Sequence, residues 1–327
     1  MKALVTGASG FIGAHVVATL LASGADVRAF DRHPPVAGSP DAEFLRGDVL
    51  ERAALRRALS GCDAVFHLAA LYSYSRADAA AMQRVNVEGT RLVIEEAAGR
   101  RLIHTSSCAT CGPVVGRAAT EADRPAEWEL RVPYKRTKVD GERMALDAAA
   151  RGADVVVVNP TTPVGPGDHG PTPTGKMVAD VAAGRARAYL AGSGLNVVAV
   201  EDVAHGHLQA FELGRAGQRY LLGGENLPMR DIFAAICEAV GRPAPKVAVP
   251  LPAAYAAAWI ASRLMREPRL LVLDEVRVAR WPMLFDDSLA RAELGYSSEP
   301  AVRALARAAA AAVPAVTPRT LLDDTLA

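Results

Sequence analysis

The chain has 327 residues, half of them hydrophobic, and 37 Lys and Arg against 36 Asp and Glu leave a net charge of +1. So much apolar material can bury a large core, which excludes a disordered chain, and the near-zero charge gives no electrostatic case for nucleic acid or an acidic surface. The 4 cysteines, Cys62, Cys108, Cys111 and Cys237, are too few and too scattered for a disulfide framework, so a reducing cytoplasm is expected. "MKALVTGASG" enters an apolar strand directly, without the core of a signal peptide. The most apolar later stretch, "PLPAAYAAAWIASRLMRE", is interrupted by Pro252, Arg263 and Arg266, short of the roughly 20 apolar residues of a spanning helix.

In chain order, "KALVTG" predicts a buried strand, and Ile12, Val16, Val17, Leu20 and Leu21 follow at helical spacing. "ADVRAF" predicts a second strand ending at Asp31, and "DAVFHLAA" another. A helix is expected through "AAMQRVNVEGTRLVIEEAA", a strand at "RLIHTSS", a helix at "YKRTKVDGERMALDAAA" and a strand at "ADVVVVNP". Continuously apolar strands alternating with helices imply a parallel sheet covered on both faces. After Asn159, "NPTTPVGPGDHGPTPTG" is too rich in Pro, Gly and Thr for regular structure and reads as a functional loop. "NVVAVEDVAHGHLQAFE" returns to strand and helix, and "YLLGGENLPMRDIFAAICEAV" predicts a strand, a Gly-rich turn and a helix from near Met229. Helices punctuated by Pro follow to about Ala312, and 313–327 reads as a tail.

"TGASGFIG" puts Gly7, Gly10 and Gly13 between the first strand and the first helix. A tight turn and the approach of a pyrophosphate both need absent side chains, and a helix N-terminus supplies N–H donors. Asp31 ends the second strand 18 residues after Gly13, where a carboxylate accepts from an adenine ribose. The arrangement predicts a Rossmann-type doubly wound α/β sheet that binds a dinucleotide. Asp31 favours NAD by repelling a 2′-phosphate, while Arg32 leaves NADP possible.

Two further features compete for the chemistry. In "RLIHTSSCATCGP", Cys108 and Cys111 form a C-x-x-C pair with His104 nearby, whereas Thr105, Ser106 and Ser107 offer hydroxyls at a strand end. The cysteines have no second pair and no fourth ligand at zinc spacing. In "PYKRTK", Tyr134 and Lys138 lie four apart and share a helix face. A tyrosine titrates near 10, and a neighbouring ammonium lowers that by stabilising phenolate.

With these in place the chain resembles the extended short-chain dehydrogenases/reductases of the NAD-dependent epimerase/dehydratase family. "TGASGFIG", "RGDV", "FHLAA", "NVEGT", "TSS", "YKRTK", "VEDVAHG" and "FDDSLARAELGY" match in order, from residue 1 to about 310. The hopanoid-associated sugar epimerase subfamily is the most similar, through "HTSSCATCGP", "VNPTTPVGPGDHGPTPTG" and "YLLGGENL", followed by dihydroflavonol reductases and 3β-hydroxysteroid dehydrogenases. The resemblance implies that Ser107, five residues before Gly112, holds the substrate oxygen, that Tyr134 moves its proton and that Lys138 tunes Tyr134 and holds the cofactor ribose. It implies cofactor contacts at the glycine loop with Phe11 and Ile12, at Asp31 and Arg32, at Asp48 and Val49, along Leu68, Ala69 and Ala70, and at Ser106, Tyr134, Lys138, Pro160 and Thr161. Asn86 is expected to be structural. Residues 1–163 plus 195–222 would bind the dinucleotide, and a smaller, mainly helical lobe, 164–194 plus 223–312, the substrate. Relatives pair through helices corresponding to 79–98 and 134–150; apolar Val93, Ile94 and Met144 suggest a homodimer here.

The substrate is the open point. Nucleotide-sugar epimerases grip a diphosphate with an arginine and an asparagine where this chain has Leu195 and Thr162; Arg277 or Arg280 could compensate. The second lobe carries Tyr255, Trp259, Leu264, Met265, Trp281, Met283 and Leu284, either as helix packing or as a lipophilic pocket. Tyr72, Tyr74, Ser107, Thr162, His169 and Trp281 are the candidate substrate contacts. The expectation is an NAD(P)-dependent oxidoreductase acting on a secondary alcohol or ketone of a small lipophilic molecule. The alternatives are a sugar or nucleotide-sugar epimerase and a non-catalytic dinucleotide sensor.

Overall fold

The computed structural model describes residues 1–36, 41–170, 172–264 and 273–313. The strands, in chain order, are β1 (Lys2–Thr6), β2 (Asp26–Asp31), β3 (Glu43–Arg46), β4 (Ala64–His67), β5 (Arg101–Thr105), β6 (Val155–Pro160), β7 (Thr162–Val164), β8 (Ala188–Leu190), β9 (Gly194–Ala199), β10 (Arg219–Leu222), β11 (Glu225–Pro228) and β12 (Val247–Val249). Seven of them form a parallel sheet in the order β10-β6-β5-β4-β1-β2-β3.

The pleat distributes the apolar runs to two cores, because successive side chains point to opposite faces. Ala3, Val5, Val156 and Val158 meet the helices Phe11–Ala22 and Val200–Leu213 on one face. Leu4, Val65, Val155 and Val157 meet Arg52–Leu59, the helical stretch from Ala79 to Glu96, and Pro133–Ala150 on the other. The stretch 79–96 is continuous, with π geometry over Gln83–Gly89. Strand order reverses between β1 and β4, so the carboxyl ends of these strands open a crevice there.

Two elements depart from the sequence reading. The Pro/Gly/Thr stretch is not wholly irregular: β7 pairs with β9 along Thr162–Val164, and a helix begins at Pro173, capped by Thr172. Pro163 is tolerated because β7 is the edge of its sheet, where a missing N–H removes no ladder bond. In addition, Gly194–Ala199 joins the small sheet β11-β9-β7 rather than the large one, so the chain returns to the large sheet only with the helix at Val200. A two-stranded pair, β8 with β12, completes the second lobe. The helix at Met229 starts where expected.

Val93 is 1% exposed and packs into the core beneath the sheet, so it is no spare apolar position for a dimer; Ile94 and Met144 are half-buried. No described helix is long and apolar enough to cross a membrane. The tail beyond Val313, the side chain of Leu264, and Met265 lie outside the described residues.

Candidate active site

The glycine turn is shaped by exclusion. Gly7 has φ +70°, and a Cβ there would lie 2.6 Å from the Ala69 nitrogen, backbone that cannot yield. A Cβ on Gly13 would lie 2.0 Å from the Gly7 carbonyl oxygen. Only glycine admits this closeness of helix, turn and β4. Ala14 is the first residue of the helix to donate back, to the Gly10 carbonyl, so the N–H groups of Phe11, Ile12 and Gly13 point outward unclaimed by the helix. Ile12 itself packs into the core, which leaves its backbone rather than its side chain for a ligand.

One cleft is lined by Gly7, Gly10, Asp31, Arg32, Asp48, Val49, Leu68, Ala69 and Ala70, all named from the sequence. It also takes in Phe30, Gly47 and Val85, which were not. Phe30 and Gly47 are inseparable, since a Cβ on Gly47 would lie 2.4 Å from the Phe30 ring. The Asp31 carboxylate accepts from the N–H groups of Ser9 and His33, both at 3.1 Å. Arg32 is more than half exposed and stands 4.0 Å from the Asp48 carboxylate. A cradle that a Cβ would fill, free N–H groups and a carboxylate at the second strand end together fit the pyrophosphate and ribose of a dinucleotide.

Ser107, Tyr134 and Lys138 gather at the carboxyl ends of β5 and β6. Pro133 opens the helix that carries Tyr134, with its missing N–H at a position that needs none. Ser107 is fixed twice: its Oγ accepts from Ala109 N–H at 3.2 Å, and its carbonyl accepts from Asn159 Nδ2 at 3.1 Å. Its hydroxyl lies near enough to the Tyr134 phenol to act on its titration. Burial pushes that phenol above its ordinary value, and Ser107 pulls it back. Burial pushes Lys138 down to about 8, opposed by Glu142 one turn on, while its Nζ donates to the Thr105 carbonyl at 2.9 Å.

The sequence reading expected Lys138 to lower Tyr134. In this geometry the ammonium is held by Thr105, and the downward pull on the phenol comes from Ser107. Burial thus disfavours the phenolate, and Ser107 offsets part of that effect.

Ser106, Pro160 and Thr161 are buried at the adjoining strand ends; Ser106 N–H donates to Val158 O at 2.8 Å and Thr161 N–H to Leu222 O at 3.2 Å. Beneath them lies a buried polar network. Glu142 accepts from Thr110 Oγ1 at 2.7 Å and from Asn159 Nδ2 at 2.6 Å, and pairs with Arg219 at 3.0 Å. The cysteines belong to this packing. Cys111 Sγ accepts from Arg219 at 2.8 Å, and burial pushes Cys108 up to about 12. Among the described residues, no three His, Cys, Asp or Glu side chains are placed to hold a metal.

His67, buried and pushed down to about 3, bonds Thr6 at 2.7 Å and Thr90 at 3.1 Å, which joins β1, β4 and the helix behind them. Asn86 clamps the Leu71 backbone, accepting its N–H at 2.7 Å and donating to its carbonyl at 2.9 Å.

Around Tyr134 the surface is apolar. Met82, Ala109, Val132 and Val278 pack with it, and Leu71, Tyr74 and Met283 join them. The Tyr72 ring stands 4.4 Å from the Tyr134 ring at 34°, and the Tyr74 ring 6.1 Å away at 67°. The structure thus brings Tyr72, Tyr74 and Ser107 to one place with Tyr134. Thr162 is buried in β7, His169 is exposed on the turn before Pro173, and Trp281 is half-buried under Arg280 at 5.4 Å; none of the three packs in the cluster around Tyr134. Leu195 packs into the core of the second lobe. Met82, Val132 and Val278 were missed, because only the folded chain brings them to the tyrosine.

Residues 3–223 match the model of the NAD dependent epimerase/dehydratase family. A protein of Synechocystis sp. proposed to be a dihydroflavonol 4-reductase is 37% identical over 93% of this chain and 92% of its own. Sterol demethylase protein B of Methylococcus capsulatus is 38% identical over 76% of this chain and 78% of its own. The crystal structure of gox2253 superimposes with a TM-score of 0.84 at 36% identity, covering 95% of this chain and 97% of that one. The chain therefore belongs to the NAD dependent epimerase/dehydratase family, and it is an oxidoreductase of the extended short-chain dehydrogenase/reductase type that uses a nicotinamide cofactor.

Proposed function

We propose that this enzyme reduces a ketone of a small, lipophilic molecule to the secondary alcohol. The observation that carries this is the wall around Tyr134: Met82, Val132, Val278, Met283 and Tyr74 surround the proton donor with apolar surface from both lobes. Buried apolar area contributes about 25 cal/mol per Å², which such a wall can return to a lipophilic substrate. A diphosphate would need charged partners instead. Arg277 is already paired with the buried Asp274 at 2.6 Å, and Arg280 lies over Trp281. The names of the two relatives, dihydroflavonol 4-reductase and sterol demethylase protein B, point the same way.

In this reading Ser107 donates to the ketone oxygen, and Tyr134 delivers its proton to that oxygen as negative charge develops there. A phenol that burial keeps from ionising is suited to donate the proton in the reduction. Bound NADH supplies the hydride. Lys138 has three donor hydrogens and gives one to Thr105, leaving the others for the ribose hydroxyls. Asp31 would hold the adenine ribose and so favour NAD over NADP. The expected division of the chain carries over with two changes, β7 and β9 lying with the substrate lobe. The enzyme works in the cytoplasm as a homodimer paired through helices 79–98 and 134–150, resting now on Ile94 and Met144 and not on Val93.

The test is a screen of cyclic terpenoid and steroid-like ketones with NADH, alongside thermal shift with UDP- and dTDP-sugars. At least one ketone should oxidise NADH, and the nucleotide sugars should add nothing to the shift given by NAD. A nucleotide sugar that stabilises the protein, with no ketone reduced and NAD retained through purification, would make it an epimerase.

A further inference from the structure

Beside the wall around Tyr134 runs a set of contacts that the proposed reduction does not use. The segment after β4 carries Tyr72, Tyr74 and Arg76. Arg76 reaches across to the second lobe, where its Nε and Nη2 donate to the two oxygens of Asp274 at 3.0 and 3.3 Å. Asp274 is buried, with its side chain 3% exposed, and Arg277 also donates to its Oδ1, at 2.6 Å. The same Arg76 Nη2 also donates to the Arg131 carbonyl at 3.4 Å, just before the helix that carries Tyr134. One guanidinium thus ties together the tyrosine segment, the start of the catalytic helix and the second lobe.

The far end of the segment is held as firmly. Asn86 clamps Leu71, so Tyr72 sits between one anchor at Leu71 and another at Arg76. Between them Ser73 Oγ donates to Asp78 at 2.6 Å and accepts from Ser75 N–H at 3.0 Å, which shapes the turn. The product of this bracing is one placement: the Tyr72 ring over the Tyr134 ring at 4.4 Å and 34°, edge-on to Tyr74 at 5.5 Å. Tyr72 nonetheless stays 37% exposed. A stacked ring that keeps this much open surface beside a proton donor is a platform for another ring.

Building on the proposed function, we propose that Tyr72 selects ring ketones over open-chain ketones by seating a flat or fused ring against its open side, and that Asp274, held between Arg76 and Arg277, positions Tyr72 for this. Asp274 touches no reacting atom; it acts through Arg76. Rings gain because a planar face stacks on tyrosine without ordering a flexible chain.

The experiment compares cyclic ketones with 3-oxo acids of equal carbon number in wild type, Tyr72→Leu, Asp274→Asn, Arg76→Leu and Arg76→Lys. Wild type should prefer the ring ketones at least tenfold in kcat/KM, and Tyr72→Leu should erase most of that preference. Asp274→Asn and Arg76→Leu should raise KM for the ring ketone about fivefold with kcat and NADH affinity within twofold, and Arg76→Lys should recover part of the loss. Hydrogen exchange over residues 72–78 should quicken in Asp274→Asn. A wild type with no ring preference, an equal loss on both classes, or a loss confined to kcat would overturn the proposal while leaving the reductase intact. Silence of wild type on both classes overturns the reductase reading and the ring selection with it. Exchange over 72–78 unchanged in Asp274→Asn overturns the positioning role whatever the activity.

Discussion

Replacing Lys138 with Met should make the protein more stable and useless at once. Lys138 is buried, and its pKa falls from the ordinary 10.5 to about 8. That difference corresponds to about 3 kcal/mol against the charged form in the folded state. Methionine has a similar shape without the charge, so Lys138→Met removes this penalty. It also removes the hydrogen bond to the Thr105 carbonyl, a loss of about 1 kcal/mol. The variant should therefore be about 2 kcal/mol more stable at pH 7, a few degrees in Tm. The pH dependence gives the sharper check. Below 8 both folded and unfolded wild type carry the proton, so the gap is constant there. Between about 8 and 10.5 the unfolded chain holds a proton that the folded chain has released, so wild type gains stability from this group as pH rises and the gap closes. Other titrations are common to both proteins and cancel in the difference. Urea unfolding of wild type and variant at pH 7, 9 and 10.5 reads this directly, with NADH titration as the functional control. A variant less stable than wild type at pH 7, or a gap that does not move with pH, would refute the burial argument.

Gly7→Ala should cut NADH affinity about tenfold or more, because it forces a φ of +70° on alanine and drives a Cβ against Ala69; Gly10→Ala, whose Cβ would meet only the Gly7 carbonyl at 3.2 Å, should be milder by calorimetry. Asp31→Ala should weaken NADH binding and narrow or reverse the preference over NADPH; wild type that already binds both equally would contradict the role given to the carboxylate. Cys108→Ser with Cys111→Ser should fold and turn over largely as wild type, since serine keeps an acceptor for Arg219 and a donor for Thr161. Stoichiometric zinc in wild type, lost in the double variant, would return the cysteines to the chemistry.

What the sequence makes legible here is whatever depends on short spacings. The glycine turn, Asp31 at a strand end, Ser107 before Gly112 and Tyr134 with Lys138 are each fixed by local geometry, and the fold brings them to the places their spacing implies. What depends on distant packing is hidden. β7 looks irregular until Val197–Ala199 arrives to pair with it. Val93 looks spare until the sheet covers it. The pairing of Arg76 with Asp274 spans 198 residues and leaves no local trace. The bond that Lys138 makes to the Thr105 carbonyl, from a strand 33 residues earlier, likewise leaves no trace in the helical spacing that pairs Lys138 with Tyr134.

The central claim is that Tyr134 hands a proton to a lipophilic ketone held in an apolar wall. Single-turnover reduction by Tyr134→Phe, on whichever ketone wild type reduces, tests it most directly. The account predicts that the chemical step slows roughly 10²–10⁴-fold, the range for losing a positioned general acid. NADH affinity should stay within about threefold, because the hydroxyl acts in the chemistry and not in anchoring. A Tyr134→Phe enzyme that reduces the ketone at the wild-type rate would contradict the account.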